Sequence, residues 1–293
     1  MKGMKYFEPK TIAEACVLIT EYEEAKIIAG GQSLLPLLKQ KLIEPECLIN
    51  IKEISELNYI EYDEGFGLRI GALTTHRQIE KSRVIESKFS MLSEMTKTLG
   101  DVQIRNAGTI GGSLCHADPA ADPAVALMSL GASIKKVSSS GSRIIPLDEF
   151  FTDYFETALQ PGELLTEISI PEPKGRYGGA FEKYSVYERD LAVVNVAVGI
   201  TLAETNDVVS DVKIALGAVA SKPIRAKIAE QQLFSKSADD EAITKVAQAA
   251  SEESQPVADI YFSENYKREL VSVLTRKTLK RALERAEGLS RKT

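Results

Sequence analysis

The chain has 293 residues, 44% hydrophobic and 27% charged, which is ordinary for a globular protein with room for one large domain or two packed ones. It has 36 basic and 42 acidic residues, and the net charge of −6 gives no electrostatic reason to expect a nucleic-acid partner. No apolar run approaches the roughly 20 residues that span a bilayer, and the first residues lack a signal-peptide core. We therefore expect a cytoplasmic protein without a membrane span.

The residues that bind metals are few. The three cysteines are scattered without a Cys-x-x-Cys pair, and the histidines are only His76 and His116. This supply predicts neither an iron–sulfur cluster, nor a zinc site, nor another metal site held by this chain alone. Redox chemistry in this chain would need an organic cofactor.

The first 55 residues predict a compact α/β lobe. Thr11-Ile12-Ala13-Glu14 has the form of a capping box, and the helix that follows is predicted to run to about Glu24. A short strand at 27–29 comes next, and a second strand is predicted at 47–51.

A glycine pair lies between the strand at 27–29 and an apolar helical segment. Glycine lets the backbone adopt positive φ and approach a ligand closely, and the free N–H groups at a helix start favour negative charge. The order strand, tight turn, helix therefore predicts a phosphate-binding turn. This first motif comprises Ala29, Gly30, Gly31, Gln32, Ser33 and Leu34.

A second glycine pair follows a strand near 68–70, a helix from Thr75 and another helix at about 90–99. Two such turns in one domain predict two anchor points on one extended ligand, such as a dinucleotide whose pyrophosphate is held from both sides. Neither pair has the spacing of a Rossmann or P-loop fingerprint, and each pair by itself could be only a sharp connection. The second motif comprises Thr109, Ile110, Gly111, Gly112 and Ser113.

Between the second motif and residue 175 the pattern predicts one helix and three strands. Asp122-Pro123 is a good helix start, with Asp122 as the cap. A hairpin is predicted at 132–137 and 143–145, and a further strand at 164–170.

The best linker in the sequence covers residues 171–179, where prolines and glycines cluster. We place a domain boundary there, between residues 175 and 176. Beyond it, β-branched runs at 192–202 and 208–219 predict an antiparallel sheet. Helices are predicted at 239–251 and 265–287.

The first motif, the segment from Arg105 to Ser113 and the run Asp118-Pro119-Ala120-Ala121-Asp122 together resemble the FAD-binding medium subunits of molybdenum hydroxylases. That family includes the aerobic carbon monoxide dehydrogenase medium subunit and the flavin domain of xanthine dehydrogenase. The resemblance implies an α+β fold. A two-lobed FAD-binding domain of the vanillyl-alcohol-oxidase (PCMH) type would occupy 1–175, with lobes at about 1–55 and 56–175, and an antiparallel sheet with helices, of the carbon monoxide dehydrogenase flavoprotein type, would occupy 176–293.

The same resemblance implies an oxidoreductase subunit that binds FAD without a covalent link. Substrate would be oxidised on a large molybdopterin subunit, and electrons would pass through two two-iron clusters of a small subunit to FAD. The external acceptor would be NAD, a quinone or oxygen. The expected assembly is a dimer of such heterotrimers, with neither a catalytic residue nor a metal ligand supplied by this chain.

The resemblance also assigns site residues. Backbone N–H groups of Ala29–Ser33 and of Thr109–Ser113 would hold the FAD pyrophosphate, and Leu34 would pack nearby. Asp122 would contact polar groups of the cofactor, Leu165 would line the pocket, and Lys183 would face the flavin. Without the resemblance, Asp122 is a helix cap, Leu165 a core residue and Lys183 a solvated charge.

Two positions and two rival functions stay open from the sequence. His116 could attach flavin covalently or serve only as a hydrogen-bonding spacer, and Leu191 stands where carbon monoxide dehydrogenase relatives tend to have tyrosine, which leaves the acceptor open. One rival is a self-contained flavin oxidase of the vanillyl-alcohol-oxidase fold. The other is a non-enzymatic nucleotide-binding assembly protein.

Overall fold

The computed structural model describes residues 4–204 and 206–288 and has the predicted α+β composition. Its strands are β1 Lys5–Phe7, β2 Lys26–Ile28, β3 Cys47–Asn50, β4 Ile60–Asp63, β5 Gly67–Gly71, β6 Ser133–Ser138, β7 Gly141–Pro146, β8 Phe151–Asp153, β9 Glu156–Thr157, β10 Leu164–Ile170, β11 Arg176–Tyr184, β12 Val194–Leu202, β13 Val209–Gly217 and β14 Ile224–Arg225. Its helices are α1 Ile12–Glu21, α2 Leu34–Lys39, α3 His76–Lys81, α4 Arg83–Lys88, α5 Ser90–Lys97, α6 Val102–Ala107, α7 Ile110–His116, α8 Asp122–Ser129, α9 Lys227–Leu233, α10 Asp240–Glu253 and α11 Glu264–Ala286.

The first lobe is a three-stranded parallel sheet in the order β1-β3-β2, with α1 packed against it. The hydroxyl of Thr11 accepts a hydrogen bond from the N–H of Glu14 at 3.1 Å and so caps α1. The carboxylate of Glu14 accepts from the N–H of Lys10 rather than from that of Thr11, so the predicted capping box is only half formed. The helix ends at Glu21, three residues before the predicted end.

The second lobe is a five-stranded antiparallel sheet in the order β4-β5-β10-β6-β7. The predicted hairpin is confirmed as β6 and β7, and the predicted strand at 164–170 is β10. Every residue of α8 is buried, because this helix lies between the second lobe and the sheet that follows it in the chain.

The C-terminal part is a four-stranded antiparallel sheet in the order β11-β12-β13-β14. Helix α11 packs on β11 and β12, α9 packs on β13, and α10 packs on these two helices. The prediction of a linker up to residue 179 is wrong at its end, since Gly178 and Gly179 lie inside β11. A Cβ at Gly178 would collide with the carbonyl oxygen of Ala282. This glycine therefore lets the sheet approach α11 closely rather than forming a turn.

Side chains from both parts of the chain share one hydrophobic core. Phe181, Ala197 and Ala215 of the C-terminal sheet pack in the same buried cluster as the residues of α8. Because this contact is apolar and continuous, it holds the second lobe firmly against the C-terminal sheet. Within the described ranges, no helix is both long and apolar enough to cross a membrane.

Candidate functional site

The first glycine motif is a tight turn between β2 and α2, as predicted. Gly31 has φ = +70°, in the left-handed region that favours glycine. The structure gives the N–H groups of Gly30, Gly31, Gln32 and Ser33 no hydrogen-bond partner among the described residues. Such a row of free N–H groups in a turn that mixes right- and left-handed residues is a concave site for an anion.

The second glycine motif is not a turn. Gly111 and Gly112 lie in the first turn of α7 with Thr109 as its N-cap, and neither glycine has positive φ. The N–H groups of this helix start are already bonded: that of Ile110 to the carbonyl of Thr74, that of Gly111 to the carbonyl of Ala72, and that of Gly112 to the Thr109 hydroxyl. The prediction of a second phosphate-binding turn therefore needs correction in its geometry.

Close packing explains the glycine at position 111. A Cβ there would lie 2.6 Å from the Cβ and 2.7 Å from the carbonyl oxygen of Ala72. Ala72 in turn donates its N–H to the carbonyl of Thr166 in β10. Gly111 thus lets α7 lie directly on the backbone of the second lobe. Gly112, by contrast, is exposed.

The two motifs nevertheless meet in space. A Cβ at Gly30 would collide with the carbonyl oxygen of Ala107, and a Cβ at Gly112 would lie 3.8 Å from that of Ala29. The free N–H groups of the first motif therefore lie beside the exposed start of α7. The sequence predicted two anchor points for one ligand, and the structure makes them neighbours with different backbone conformations.

Asp122 and Lys183 form a buried ion pair across the contact between the second lobe and the C-terminal sheet. The Lys183 ammonium donates to the Asp122 carboxylate at 2.6 Å, and the two side chains are 7% and 5% exposed. The other Asp122 oxygen accepts from the side-chain amide of Asn195 at 2.7 Å. Burial raises the pKa of Asp122, and the Lys183 charge and these hydrogen bonds oppose that rise.

This pairing corrects two sequence interpretations. Asp122 is not the cap of α8, because Ala121 holds that position and no side-chain capping bond forms. Lys183 is not a solvated charge: besides Asp122 it donates to the carbonyl oxygens of Thr98 at 3.3 Å and Asp190 at 3.0 Å. All three ammonium donors are therefore used within the chain.

A cleft of ≈ 410 Å³ opens beside Lys183. Thr98 at the end of α5, Phe181 of β11 and Arg189 in the loop after β11 contribute to its wall. Leu191, at the end of the same loop, is 63% exposed. The cleft therefore has the lysine at its edge and an apolar side chain free in solvent nearby.

Leu165 and His116 lie away from this exposed surface. Leu165 is 2% exposed and packs in the shared hydrophobic core, one residue before the Thr166 carbonyl that supports Ala72. His116 is the last residue of α7, and its ring packs 5.2 Å from that of Phe155. Leu34 is half-buried at the start of α2, next to the first turn.

Sequence reasoning missed four residues that shape the site. Thr98 and Asn195 hold the Lys183–Asp122 pair, and Arg105 and Glu80 form a buried ion pair at 3.0 Å behind the segment that joins the two ends of the site. Arg105 stood inside the recognised motif, but nothing in a single sequence showed that its side chain would be buried. Asn195 carried no signal, since it is the second residue of a largely apolar strand.

These residues fit FAD. N–H groups without a partner in the described part of the chain, beside a close backbone contact, suit a pyrophosphate, which needs donors and little bulk. The Lys183 ammonium lies at the edge of the cleft, and a positive charge beside a flavin stabilises the negative charge that the ring gains on reduction. Within the ranges described, no group of three metal-ligating side chains comes together.

Comparison with known proteins identifies the relatives. A family model described as "FAD binding domain in molybdopterin dehydrogenase" matches residues 2–173, and a second, "CO dehydrogenase flavoprotein C-terminal domain", matches residues 179–282. The chain is 36% identical to the glyceraldehyde dehydrogenase medium chain of Sulfolobus acidocaldarius, over 94% of this chain and 96% of that protein. It is 34% identical to the carbon monoxide dehydrogenase medium chain of Afipia carboxidovorans, over 97% and 98%.

A solved structure shows the same fold. The carbon monoxide dehydrogenase of Hydrogenophaga pseudoflava that lacks the Mo-pyranopterin moiety of its cofactor contains a chain that superposes with a TM-score of 0.93 at 32% identity, covering 96% of this chain and 98% of that one. This agreement confirms the predicted fold class and the recognised family. The chain belongs to the FAD-binding medium subunits of the molybdenum hydroxylases.

Proposed function

We propose that this chain binds one FAD without a covalent bond and transfers electrons between a partner subunit and an external acceptor. One observation carries the proposal: four consecutive N–H groups, from Gly30 to Ser33, have no hydrogen-bond partner within residues 4–204 and 206–288 and lie beside the exposed start of α7. The pyrophosphate is placed at that junction, on Ala29–Ser33 and the adjacent Thr109–Ser113. The FAD-binding domain in this proposal is residues 1–175.

The residues of this chain act by binding and orienting. The first turn donates N–H groups to phosphate, and Gly112 keeps the surface of α7 low enough for a ligand to approach. Lys183, held by Asp122, places a positive charge at the cleft, while Leu34 and Leu165 support the site by packing. When bound, a flavin supplies the exchange between two-electron and one-electron chemistry.

Partners supply the remaining steps in this proposal. Two of the relatives are named as medium chains, and one similar solved structure is of a Cu,Mo-CO dehydrogenase. We place the molybdopterin and the two-iron clusters on a large and a small partner subunit, in a cytoplasmic dimer of heterotrimers. NAD, a quinone or oxygen receives the electrons. No residue of this chain is assigned a catalytic role.

The first experiment is a visible spectrum of the purified chain followed by acid precipitation. We expect a yellow protein with one FAD per chain and a yellow supernatant after precipitation. Colour retained on the pellet would show a covalent link, with His116 the residue to replace first. A colourless chain that takes up no added FAD would contradict FAD binding and favour the assembly-protein alternative.

The second experiment separates electron transfer from substrate oxidation. Dithionite should bleach the flavin of the isolated chain, whereas aldehydes and purines should leave it oxidised. Adding the molybdopterin and iron–sulfur subunits should make bleaching depend on the substrate of the complex. Bleaching of the isolated chain by an organic substrate, at the rate of the complete enzyme, would instead support the self-contained oxidase.

A further inference from the structure

The side chain of Arg105 is buried between the two ends of the candidate site. It is 6% exposed, and its Nε donates to the Glu80 carboxylate at 3.0 Å. One terminal nitrogen donates to two backbone carbonyl oxygens, that of Leu99 at 2.9 Å and that of Gly100 at 2.7 Å. A guanidinium with this fork geometry fixes the backbone it binds, since its donors have set directions.

The bound carbonyls belong to the segment that follows α5. The neighbouring carbonyl, that of Thr98, accepts from the Lys183 ammonium at 3.3 Å. Three consecutive carbonyls at the C-terminal end of α5 are therefore bound by two buried cations, one by Lys183 and two by Arg105. Positive charge is favoured at this end of a helix. The position of Lys183 and the position of Arg105 are coupled through this segment.

The same segment leads to the phosphate end of the site. Gly100 has φ = +47° and turns the chain into α6, which Asp101 caps by accepting from the N–H of Ile104 at 2.7 Å. The helix ends at Ala107, whose carbonyl packs on Gly30. With six residues at about 1.5 Å each, α6 is about 9 Å long. It separates the segment that holds the Lys183 ammonium, through the carbonyl of Thr98, from the first turn.

We propose that Arg105 is a positioning residue for the cofactor. By holding the carbonyls of Leu99 and Gly100, it fixes the first turn and Lys183 at one separation, so that a single dinucleotide can reach both. This inference rests on the proposed function, because it assumes that FAD spans these two points. Arg105 acts through the backbone and needs no contact with the cofactor.

The test compares R105M with R77M. Arg77 is a matched control because it donates to both oxygens of the same Glu80 at 3.0 Å, yet has no bond to the carbonyls of residues 98–100 among the described contacts. Each variant removes one guanidinium and leaves Glu80 one cationic partner. FAD dissociation constants are measured by titration of the apoprotein, and its melting temperature is measured alongside.

R105M should raise the FAD dissociation constant about three- to thirtyfold, the range for residues that modulate a site without touching the ligand. R77M should leave the constant unchanged. R105K should recover part of the affinity, since an ammonium can bind a carbonyl but cannot reproduce the fork. A merely structural role would lower the melting temperature of R105M more than that of R77M, because Arg105 is 6% and Arg77 37% exposed, and would leave the FAD dissociation constants of the two variants equal.

The outcomes distinguish this inference from the function it rests on. If the unmodified chain binds no FAD, the proposed function fails first. If it binds FAD and R105M binds as tightly, or R105M and R77M are equally weakened, the positioning role is wrong. Should R105M not fold, R105Q carries the same test, because its shorter amide has two N–H donors and can replace at most two of the three bonds.

Discussion

The two glycine motifs look alike in the sequence and differ in the structure. In the first, Gly31 takes a left-handed conformation and the neighbouring N–H groups have no partner among the described residues. In the second, Gly111 is helical, its N–H is bonded, and its lack of a side chain makes room for Ala72. A glycine pair thus allows a left-handed backbone conformation in the first motif and close packing of a helix in the second.

That contrast changes what a substitution at each site should do. A side chain in the first turn disturbs a surface that faces the ligand, so binding should suffer more than stability. A side chain at Gly111 disturbs the contact between α7 and the second lobe, so the main effect should be a loss of stability, with weaker binding as its consequence. Three substitutions within the motifs test this division, and one at His76 tests the segment between them.

The largest effect is expected for Gly111→Val. The valine Cβ would meet the backbone and side chain of Ala72, neither of which can rotate away, and overpacking of this kind costs about 1–3 kcal/mol or more. Urea unfolding of the apoprotein should show that loss, and FAD binding should fall with it. If the Gly111→Val apoprotein had an unchanged free energy of unfolding but no longer bound FAD, the valine would be blocking the cofactor rather than colliding with Ala72.

The segment between the two motifs should make the stability of the chain depend on pH. His76 is buried beneath Gly108, and desolvation together with the Arg105 charge lowers its pKa from 6.5 to about 4. Between pH 6.5 and pH 4 this histidine is protonated in the unfolded chain but not in the folded chain. Its contribution to the free energy of unfolding is therefore complete above pH 6.5 and is lost as the pH falls towards 4. This residue alone should lower the free energy of unfolding by about 3 kcal/mol between pH 7 and pH 4.

The measurement is the difference between the unmodified chain and His76→Asn, with urea unfolding at several pH values. The carboxylates titrate in both proteins, so the difference isolates the histidine. Parallel curves across pH 4–6.5 would show that His76 is not kept neutral in the folded chain.

Gly31→Ala should weaken FAD binding more than folding. A left-handed alanine costs about 1 kcal/mol, and the loss of the turn conformation should raise the FAD dissociation constant at least about tenfold, or about 1.4 kcal/mol. Gly175→Ala is the matched control: φ is +70° at both positions, and the nearest atom to a Cβ at Gly175 is 3.6 Å away. A Cβ at Gly31 would also lie 2.9 Å from Cδ1 of Leu35, so Gly31→Ala should lose somewhat more stability than Gly175→Ala. Equal FAD affinities would remove the first turn from the site.

The smallest effect is expected for Gly112→Ala. Alanine improves a helix by about 0.5–1 kcal/mol, but its Cβ would lie 2.8 Å from the Thr109 hydroxyl, whose capping bond contributes about 1 kcal/mol. The melting temperature should therefore stay nearly constant. A moderate rise in the FAD dissociation constant, below about tenfold, would show that a ligand lies against this exposed face, and no change would restrict phosphate binding to the first turn.

The family, the α+β class and most of the elements could be predicted before the structure, because they depend on local patterns. Strand β10 and helices α10 and α11 follow from periodicity and capping over neighbouring residues. The first turn was predictable for the same reason: a strand, a glycine pair and a helix start are adjacent in the chain. Local patterns also explain the error at β11, since its paired glycines imitate a linker.

The tertiary structure alone decided how the site is held together. Lys183 and Asp122 are 61 residues apart, and nothing in either neighbourhood predicts that an ammonium and a carboxylate will be buried together. The role of Gly111 depends on Ala72, and that of Arg105 on carbonyls at the end of another helix. Burial, pairing and close approach are properties of distant segments brought together, and a single sequence records the residues but not their neighbours in space.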